Sequence, residues 1–460
     1  MEEQPVKKGE IVTISLDNIA YGGDAVGRKD NFTIFVPYGI PGERVKVKIR
    51  EVKQSYARGE IVSLVEETKE RIEPKCSVSG ACGGCQLDHI DYQAQLKYKR
   101  AMVKDALEHI GGLTEVEVNP VLGMEHPYLY RNKAQFPLAK VDEEAVIGFY
   151  AAGSHDLIAH DDCQIQHPVI NRIASKVVEL INQYELSIYD EAEEKGLMRH
   201  LVVRVGVCTN QAQLILVTNE AELPYQAEIV ATLMNEIPEL ISIYQNINHK
   251  DTNVILGEKT EKLSGQNYII DYIGNIKYQI SPLSFFQINT LQAEVLYDKV
   301  IEYAELTGEE KVLDAYCGLG AISLYLAEKS EKVYGIEVVP EAIELARENA
   351  ELNGIDNCRF RAAKVRDALP QLKEEFLPEV VVVDPPRKGC AEEVLEDFIE
   401  LEPEKIIYVS CKPTSLARDL DFLTRYGYQI EAVQPVDMFP QTYHIENVVK
   451  LVKSSNESTI

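Results

Sequence analysis

The 460-residue sequence lacks the features that direct a protein into or across a membrane. No run of roughly 18 or more apolar residues occurs, so no transmembrane helix is expected. The N-terminus, MEEQPVKKGE, has no apolar stretch of the kind that a secretory signal requires. No internal repeat or low-complexity segment stands out either. We therefore expect a cytoplasmic protein with no membrane partner.

Positive charge is scarce. The chain has 47 Lys+Arg against 74 Asp+Glu, a net charge of −27, which excludes a surface adapted uniformly to nucleic acid but leaves local basic patches open. Hydrophobic residues make up 45% and charged residues 26%, which excludes a disordered or fibrous chain. At roughly 150 residues per domain, this length predicts about two to four domains.

The cysteines are too few, and odd in number at nine, to suggest a disulfide scaffold. Three of them, Cys76, Cys82 and Cys85, stand as C-x5-C-G-G-C, and Cys163 follows after 77 intervening residues. Three close thiols and one remote thiol make a set of four soft metal ligands. The spacing alone permits either zinc or an iron-sulfur cluster, because both accept four cysteine thiolates.

Residues 6–66 form short alternating patterns separated by the turn sequences YGGDAVGRKD and GIPGE, which predicts a small all-β barrel. The stretch 44–58 carries six basic residues and a single acid, Glu51. Two interpretations of this stretch stay open. It is either a solvated strand face or a nucleic-acid-binding face that the global acidity hides.

The rest of the chain divides into two segments that differ in their pattern of strands and helices. Residues 120–280 alternate strands and helices in an α+β pattern with hairpin signals. From about residue 281, apolar strands alternate with helices, which predicts a parallel, doubly wound sheet. We expect a multidomain α/β protein: a β-barrel over 1–68, a central α+β domain with the four cysteines over 69–280, and a Rossmann-like domain over 281–460.

Three strand ends in the last segment carry acids. VLDAYCGLG places Asp314 before a loop with Gly318 and Gly320, where small residues let the backbone approach a ligand. Glu337 ends the next strand 23 residues later, where an acid commonly binds ribose hydroxyls. EVVVVDPPR places Asp384 at a third strand end. The glycine spacing is not G-x-G-x-x-G, and the three ends together resemble class I S-adenosylmethionine-dependent methyltransferases.

A further strand, KIIYVSCKP, ends at Cys411, beside the expected methyl donor. C5 of uracil is too weak a nucleophile to attack a sulfonium, but addition of a thiolate at C6 creates an enolate that is nucleophilic at C5. A base must then remove the C5 proton so that the thiolate can leave. VDMFPQTYHIENVV supplies Glu446, with His444 on the same face if this segment is extended.

The set SPLSFFQIN, LDAYCGLG, VVDPPRKG, SCKPTSLARDL and PVDMFPQTYHIENVV resembles the RNA (uracil-5-)-methyltransferase family across nearly the whole chain. The resemblance implies Cys411 as the nucleophile and Glu446 as the general base. The contacts to S-adenosylmethionine that it implies are Gln287, Tyr316, Glu337 and Asp384. Phe285 and Phe286 are expected in the core unless one stacks on a base or on adenine. His444 stays unassigned.

The N-terminal segment resembles a TRAM domain, a module similar to the oligonucleotide-binding barrel and found on RNA-modifying enzymes. The cysteine pattern is similar to the four-iron signature of the ribosomal RNA branch of the family, so the resemblance favours a 4Fe-4S cluster over zinc at Cys76, Cys82, Cys85 and Cys163. The tRNA branch generally lacks both features, and their joint presence implies 23S rRNA as the partner. Tyr130, Arg131 and Lys133 are candidates for holding nucleotides around a flipped uridine.

Four functions stay open at this point. The first is methylation of one or two uridines of 23S rRNA at C5, by a monomeric enzyme, and the second is the same reaction on tRNA. The third is an RNA-binding protein with a vestigial methyltransferase fold, against which Cys411 and Glu446 argue. The fourth is a radical S-adenosylmethionine enzyme, which would use a three-cysteine C-x3-C-x2-C loop rather than four cysteines.

Overall fold

In the computed structural model, which describes residues 4–250 and 252–454, the N-terminal strands close into a barrel of order β1-β2-β3-β5-β4. Alternate residues point inward because a strand has a period of two, and Ile14, Val47 and Ile49 pack in the barrel core. The predicted barrel is confirmed. Its strands are β1 (Ile11–Ile19), β2 (Ala25–Lys29), β3 (Phe32–Val36), β4 (Arg44–Val52) and β5 (Tyr56–Glu66).

A central mixed sheet follows, with the order β12-β11-β10-β9-β6-β7-β8. Strands β10 and β11 pair in parallel, and the other neighbours are antiparallel. Helices α2 and α3 cover one face and share its core. The elements of this part are α1 (Tyr92–His109), β6 (Lys133–Val141), β7 (Glu144–Tyr150), β8 (Leu157–Ala159), α2 (Pro168–Gln183), β9 (Met198–Val205), β10 (Ala212–Thr218), α3 (Gln226–Glu236), β11 (Leu240–Ile247) and β12 (Lys259–Gly265).

A hairpin and a second seven-stranded sheet complete the fold. The hairpin pairs β13 with β14, and the sheet order is β17-β16-β15-β18-β19-β21-β20. The elements are β13 (Ile269–Ile273), β14 (Ile276–Ile280), α4 (Thr290–Ala304), β15 (Lys311–Ala315), α5 (Ala321–Ala327), β16 (Lys332–Glu337), α6 (Pro340–Leu352), β17 (Cys358–Ala362), α7 (Val365–Glu375), β18 (Val380–Val383), α8 (Glu392–Leu401), β19 (Lys405–Ser410), α9 (Pro413–Arg425), β20 (Tyr428–Val436) and β21 (Glu446–Lys453).

This second sheet is doubly wound, as predicted. The first five strands in the sheet order are parallel. Successive residues of β15 belong to the cores on opposite faces of the sheet: Val312 packs with α4, α5 and α6, whereas Leu313 packs with α7, α8 and α9. Helix α1 and hairpin β13–β14 join these two cores. The C-terminal core therefore draws on residues from both sides of the predicted boundary at 280. Among the described helices, none is both long enough and apolar enough to cross a membrane.

Helix α1 ties the parts together through a buried ion pair. Lys99 Nζ lies 2.6 Å from Asp437 Oδ1, both side chains are fully buried, and Lys99 also donates to the Phe439 carbonyl oxygen at 3.0 Å. Tyr92 donates its hydroxyl to the other carboxylate oxygen of Asp437 at 2.9 Å. The segment that follows β20 is thus anchored on α1.

We expect Lys99→Met to lower the free energy of unfolding by about 3–5 kcal/mol, because it leaves Asp437 buried without its cation. Lys97→Met on the same helix is the matched control. Lys97 pairs with Glu70 at 3.5 Å but its side chain is 71% exposed, so its loss costs about 0–1 kcal/mol. Urea denaturation of both variants measures the difference, and equal small losses would show that the buried pair does not anchor this segment.

Candidate active site

The candidate site lies at the carboxyl edge of the C-terminal sheet. Strand β15 has β16 on one side and β18 on the other, so the strand order reverses there. In doubly wound sheets such a switch point opens a crevice in which ligands bind. A cleft of about 860 Å³ lies at this place. Its lining includes every residue predicted to bind the methyl donor or to act on the uracil: Gln287, Tyr316, Glu337, Asp384, Cys411 and Glu446.

The loop after β15 shapes one wall of the cleft. Tyr316, Gly318 and Gly320 all have left-handed backbones, with φ of 68°, 55° and 82°, so the chain turns sharply and brings its backbone against the cleft. Asp314 lies fully buried below this loop and accepts the Ser323 hydroxyl. Its second oxygen has no partner among the described residues, and burial raises its pKa to about 7.

The neighbouring strand ends supply two more carboxyls, and the loop between β14 and α4 supplies an amide. Glu337 Oε1 accepts the backbone N–H of Val338 at 2.7 Å and of Val339 at 3.0 Å, which holds the carboxylate at the end of β16. Asp384 follows β18, and burial raises its pKa to about 6. Gln287 is buried, and its backbone carbonyl oxygen accepts an N–H from the Asn132 side chain at 2.8 Å. All three of these side chains line the same cleft.

The register of one antiparallel ladder brings Cys411 and Glu446 together. Ser410, the last residue of β19, pairs with Asn447 of β21, and the Asn447 amide donates to the Ser410 carbonyl oxygen at 3.2 Å. Residues paired across strands lie about 5 Å apart. Cys411 directly follows Ser410 and Glu446 directly precedes Asn447, so both side chains reach the same cleft.

Charges in this part of the cleft are unbalanced. Burial, together with Glu446 and Asp384, raises the pKa of the Cys411 thiol to about 12, while the Arg387 guanidinium lowers it. Burial and the Asp384 carboxylate also hold the pKa of Glu446 well above its usual value, against a lowering by Arg387. One Glu446 oxygen has no partner among the described residues. A cation in the cleft would relieve this excess of acid, so the residues fit a sulfonium ligand such as S-adenosylmethionine.

The four cysteines of the predicted cluster converge. Cys76, Cys82 and Cys85 lie on one loop, and burial together with ionisation of neighbouring thiols raises the pKa of Cys163 to about 11. Cys82 forms an isolated antiparallel β-bridge with Ala151, and Gly83 N–H donates to the Tyr150 carbonyl oxygen at 2.9 Å. No three of the four sulfurs, all within the described residues, lie within 4.8 Å of one another. His160 Nε2 lies 3.7 Å from Cys76 Sγ, a neighbour that the sequence pattern did not reveal.

Two family models match the chain. The model described as tRNA (Uracil-5-)-methyltransferase matches residues 91–454, and the model of the TRAM domain matches residues 5–62. The first of these covers well over half of the chain. The chain belongs to the tRNA (uracil-5-)-methyltransferase family. The expectation of an S-adenosylmethionine-dependent RNA (uracil-C5) methyltransferase is thereby confirmed, and so is the N-terminal TRAM domain.

Similar proteins agree with this assignment. An "Uncharacterized RNA methyltransferase" of Clostridium tetani is 47% identical over 446 residues, 97% of each chain. One of Halalkalibacterium halodurans is 44% identical over 451 residues, 98% of each chain. The crystal structure of Pyrococcus abyssi tRNA (uracil-54, C5)-methyltransferase in complex with S-adenosyl-L-homocysteine superimposes with a TM-score of 0.76 at 30% identity, covering 95% of this chain and 99% of that one.

In this methyltransferase, several residues that the sequence left ambiguous have definite surroundings. Phe286 is buried, whereas Phe285 is 71% exposed and lines the cleft, so only Phe285 of this pair is free to stack on a base. Tyr130 is 5% exposed and donates its hydroxyl to the Pro440 carbonyl oxygen at 2.9 Å. It is a packing residue rather than the RNA contact we expected. Burial beside Arg204 lowers the pKa of Lys133 to about 8.

The basic stretch of the barrel is largely neutralised by neighbouring acids. Four of its six cations form ion pairs on the barrel surface: Arg44 with Glu66, Arg50 with Glu60, Lys53 with Glu51 and Arg58 with Asp24. For this stretch the structure favours a solvated strand face over a concentrated nucleic-acid-binding face.

Arg387 is a cleft residue that sequence reasoning missed. It stands in the quoted motif VVDPPRKG, directly after the two prolines, and no role was given to it. The Arg387 side chain is exposed at the cleft and forms no ion pair with another described residue. The available signal in the sequence was the position of this arginine directly after the strand-end motif VVDPP. Its position beside Cys411 and Glu446 became visible only in the fold.

Proposed function

We propose that the methyltransferase modifies C5 of uridine in 23S rRNA through a covalent bond between Cys411 and C6 of the base. The observation that carries the mechanism is the β19–β21 register, which sets a thiol and a carboxyl side by side at the edge where the methyl donor binds. Gln287, Tyr316, Glu337 and Asp384 are the proposed contacts to that donor.

Each catalytic side chain has a defined task in this proposal. S-adenosylmethionine supplies the methyl group as an electrophile. Cys411 Sγ adds as a thiolate to C6 of the uracil, which makes C5 nucleophilic. After C5 carries the methyl group, the Glu446 carboxylate removes the C5 proton, the C5–C6 double bond re-forms, and the Cys411 thiolate leaves.

In this proposal the positive charge of the methyl donor favours the reactive forms of both catalytic groups. In the free protein burial and neighbouring acids raise the pKa of the Cys411 thiol to about 12 and hold the pKa of the Glu446 carboxyl well above its usual value, so the charged forms of both groups are disfavoured. The Arg387 guanidinium opposes this at both groups. A sulfonium bound beside them adds a second positive charge, which lowers both pKa values further and favours the thiolate and the carboxylate that the reaction requires.

The choice of 23S rRNA rests on the resemblance of the cysteine pattern to the ribosomal RNA branch of the family. A tRNA substrate is the second candidate, and the Pyrococcus abyssi tRNA enzyme supports it. That structure covers 95% of this chain, so an enzyme named for tRNA shares most of its length. The presence of the N-terminal barrel and of the cysteine segment therefore does not by itself separate the two substrates.

The substrate is tested by incubating the purified protein with methyl-labelled S-adenosylmethionine and unmodified transcripts of 23S rRNA or tRNA. We expect label in 5-methyluridine from the 23S transcript, identified after digestion to nucleosides. Label from tRNA alone would keep the reaction and overturn the proposed substrate. No label from either transcript would contradict the proposed function.

The covalent mechanism predicts opposite behaviour for two variants. Glu446→Gln should trap the RNA on Cys411, because the C5 proton stays in place, and should give a slow-migrating band on denaturing gels. Cys411→Ala should abolish both transfer and adduct while keeping affinity for S-adenosylmethionine. Cys208→Ala is the matched control, since Cys208 is exposed and does not line the cleft. Turnover by Cys411→Ala would exclude this thiol as the nucleophile.

We also propose that Cys76, Cys82, Cys85 and Cys163 hold a 4Fe-4S cluster. The assignment rests on the similarity of their spacing to the four-iron signature of the ribosomal RNA branch of the family. The thiols also lie near enough to one another that Cys76 and Cys82 contribute to the raised pKa of Cys163. Their raised pKa values mean that binding must displace protons, as for any thiolate-ligated metal site.

Protein purified without oxygen should be brown, with absorbance near roughly 400 nm from thiolate-to-iron charge transfer. Cys163→Ser should lose most of this absorbance and iron content, whereas the matched control Cys208→Ser should keep both. Iron and zinc analysis measures the outcome directly. Colourless protein containing stoichiometric zinc would overturn the cluster assignment.

A further inference from the structure

Four aromatic rings form a continuous series from the barrel to the cleft. Tyr21 and Tyr443 lie 5.2 Å apart between ring centroids, Tyr443 and His444 lie 4.1 Å apart, and His444 and Phe439 lie 5.7 Å apart. Phe439 and His444 line the cleft, and Tyr21 belongs to the loop between β1 and β2. None of the four is fully buried. We call these residues the aromatic series.

Hydrogen bonds hold the chain segment that carries Phe439, Tyr443 and His444 in place. Gln441 exchanges hydrogen bonds with Gln95 of α1, at 2.9 Å through its side chain and at 3.1 Å through its N–H. Leu87 N–H donates to the Gln441 carbonyl oxygen at 3.0 Å, and Lys99 donates to that of Phe439. The segment is therefore anchored on its buried side. Phe439 and His444 line the cleft, whereas Tyr443 packs beside the small core shared by the barrel and α1.

The barrel loop is fitted to this segment. Gly23 has a φ of 92°, and a Cβ at this position would lie 2.7 Å from Gln86 Cβ and 3.6 Å from Tyr443 Cβ. Because glycine allows this close approach, the loop brings Tyr21 into edge-to-face contact with Tyr443. Burial is the largest cause that raises the pKa of Tyr21 to about 12, and Tyr443 and Cys411 add to it.

The surroundings of the series suit nucleic acid. Burial and three cations, Arg387, Lys99 and Arg131, lower the pKa of His444 to about 4, so its ring is neutral at physiological pH and can stack without the cost of desolvating a charge. Arg387 lies beside it with no acidic partner among the described residues. Aromatic rings next to an unpaired cation are the combination that binds bases and backbone of single-stranded RNA.

We propose that the aromatic series is the entry surface for the RNA strand, and that Tyr21 of the barrel stacks on an unpaired nucleotide adjacent to the target uridine. A uridine must leave its stack to reach Cys411, so its neighbours need a surface to replace the contacts that they lose. On this view the TRAM barrel contributes one side chain directly to substrate positioning. The inference rests on the proposed function, because it takes the strand entering the cleft to be RNA.

The chain contains no tryptophan, so Tyr21→Trp introduces a single fluorescent reporter at the proposed contact. We expect saturable quenching of its emission by the RNA transcript that accepts methyl groups and by a single-stranded oligouridine probe. Tyr426→Trp is the matched control: it is 55% exposed and follows the 13-residue α9, about 20 Å from the end that adjoins Cys411. Equal quenching of both variants, or of neither, would overturn the inference.

Kinetics separate stacking from packing. Tyr21→Ala should raise KM for RNA by roughly tenfold, the effect of losing one base–aromatic stack, with kcat and the affinity for S-adenosylmethionine close to those of the parent protein. Tyr21→Phe keeps the ring and should change KM by no more than about twofold. An unchanged KM for Tyr21→Ala, or a lower Tm together with weaker cofactor binding, would overturn the inference.

Fluorescence quenching is measured without methyl transfer, so the test of the entry surface and the test of the proposed function can fail separately. Methyl transfer to RNA without quenching of Tyr21→Trp would overturn the entry surface alone. Quenching by RNA without methyl transfer would support the surface and contradict the proposed function.

Discussion

Strand β21 runs antiparallel in a sheet whose first five strands are parallel, and the geometry of the site depends on this reversal. A parallel β21 would begin at the opposite edge of the sheet, about a strand length away from Cys411. Because β21 is antiparallel, its first residue, Glu446, lies next to the end of β19. The chain between β20 and β21 must then cross the carboxyl edge of the sheet, where the cleft is.

That crossing segment is also where the parts of the molecule meet. The Lys99–Asp437 ion pair fixes its start on α1, and Gln95 fixes its middle at Gln441. Leu87, next to the cysteine loop, donates its backbone N–H to the Gln441 carbonyl oxygen. Tyr443 packs against the small core shared by the barrel and α1. Barrel, cysteine loop and methyltransferase sheet thus converge on one short segment.

The electrostatics of the cleft reflect a compromise between stability and reactivity. Asp314, Asp384 and Glu446 are buried acids whose raised pKa values show that the free protein tolerates their negative charge poorly. Such a site is completed by a cationic ligand, and this protein belongs to a family whose methyl donor is a sulfonium. Arg387 is the described cation that moderates this excess of acid at Cys411 and Glu446.

Much of the site could be predicted because parallel strands deliver their carboxyl ends to one edge, so Glu337, Asp384 and Cys411 were recognisable from strand ends alone. Alternating apolar residues likewise sufficed for the barrel. The tertiary structure alone decided which side chains are exposed and which charges are paired, as the buried Tyr130 and the ion pairs of Arg44 and Arg58 show. Periodicity reports on neighbours along one strand or helix, whereas contacts such as Tyr21 with Tyr443 join residues far apart in the chain and arise only when separate elements pack.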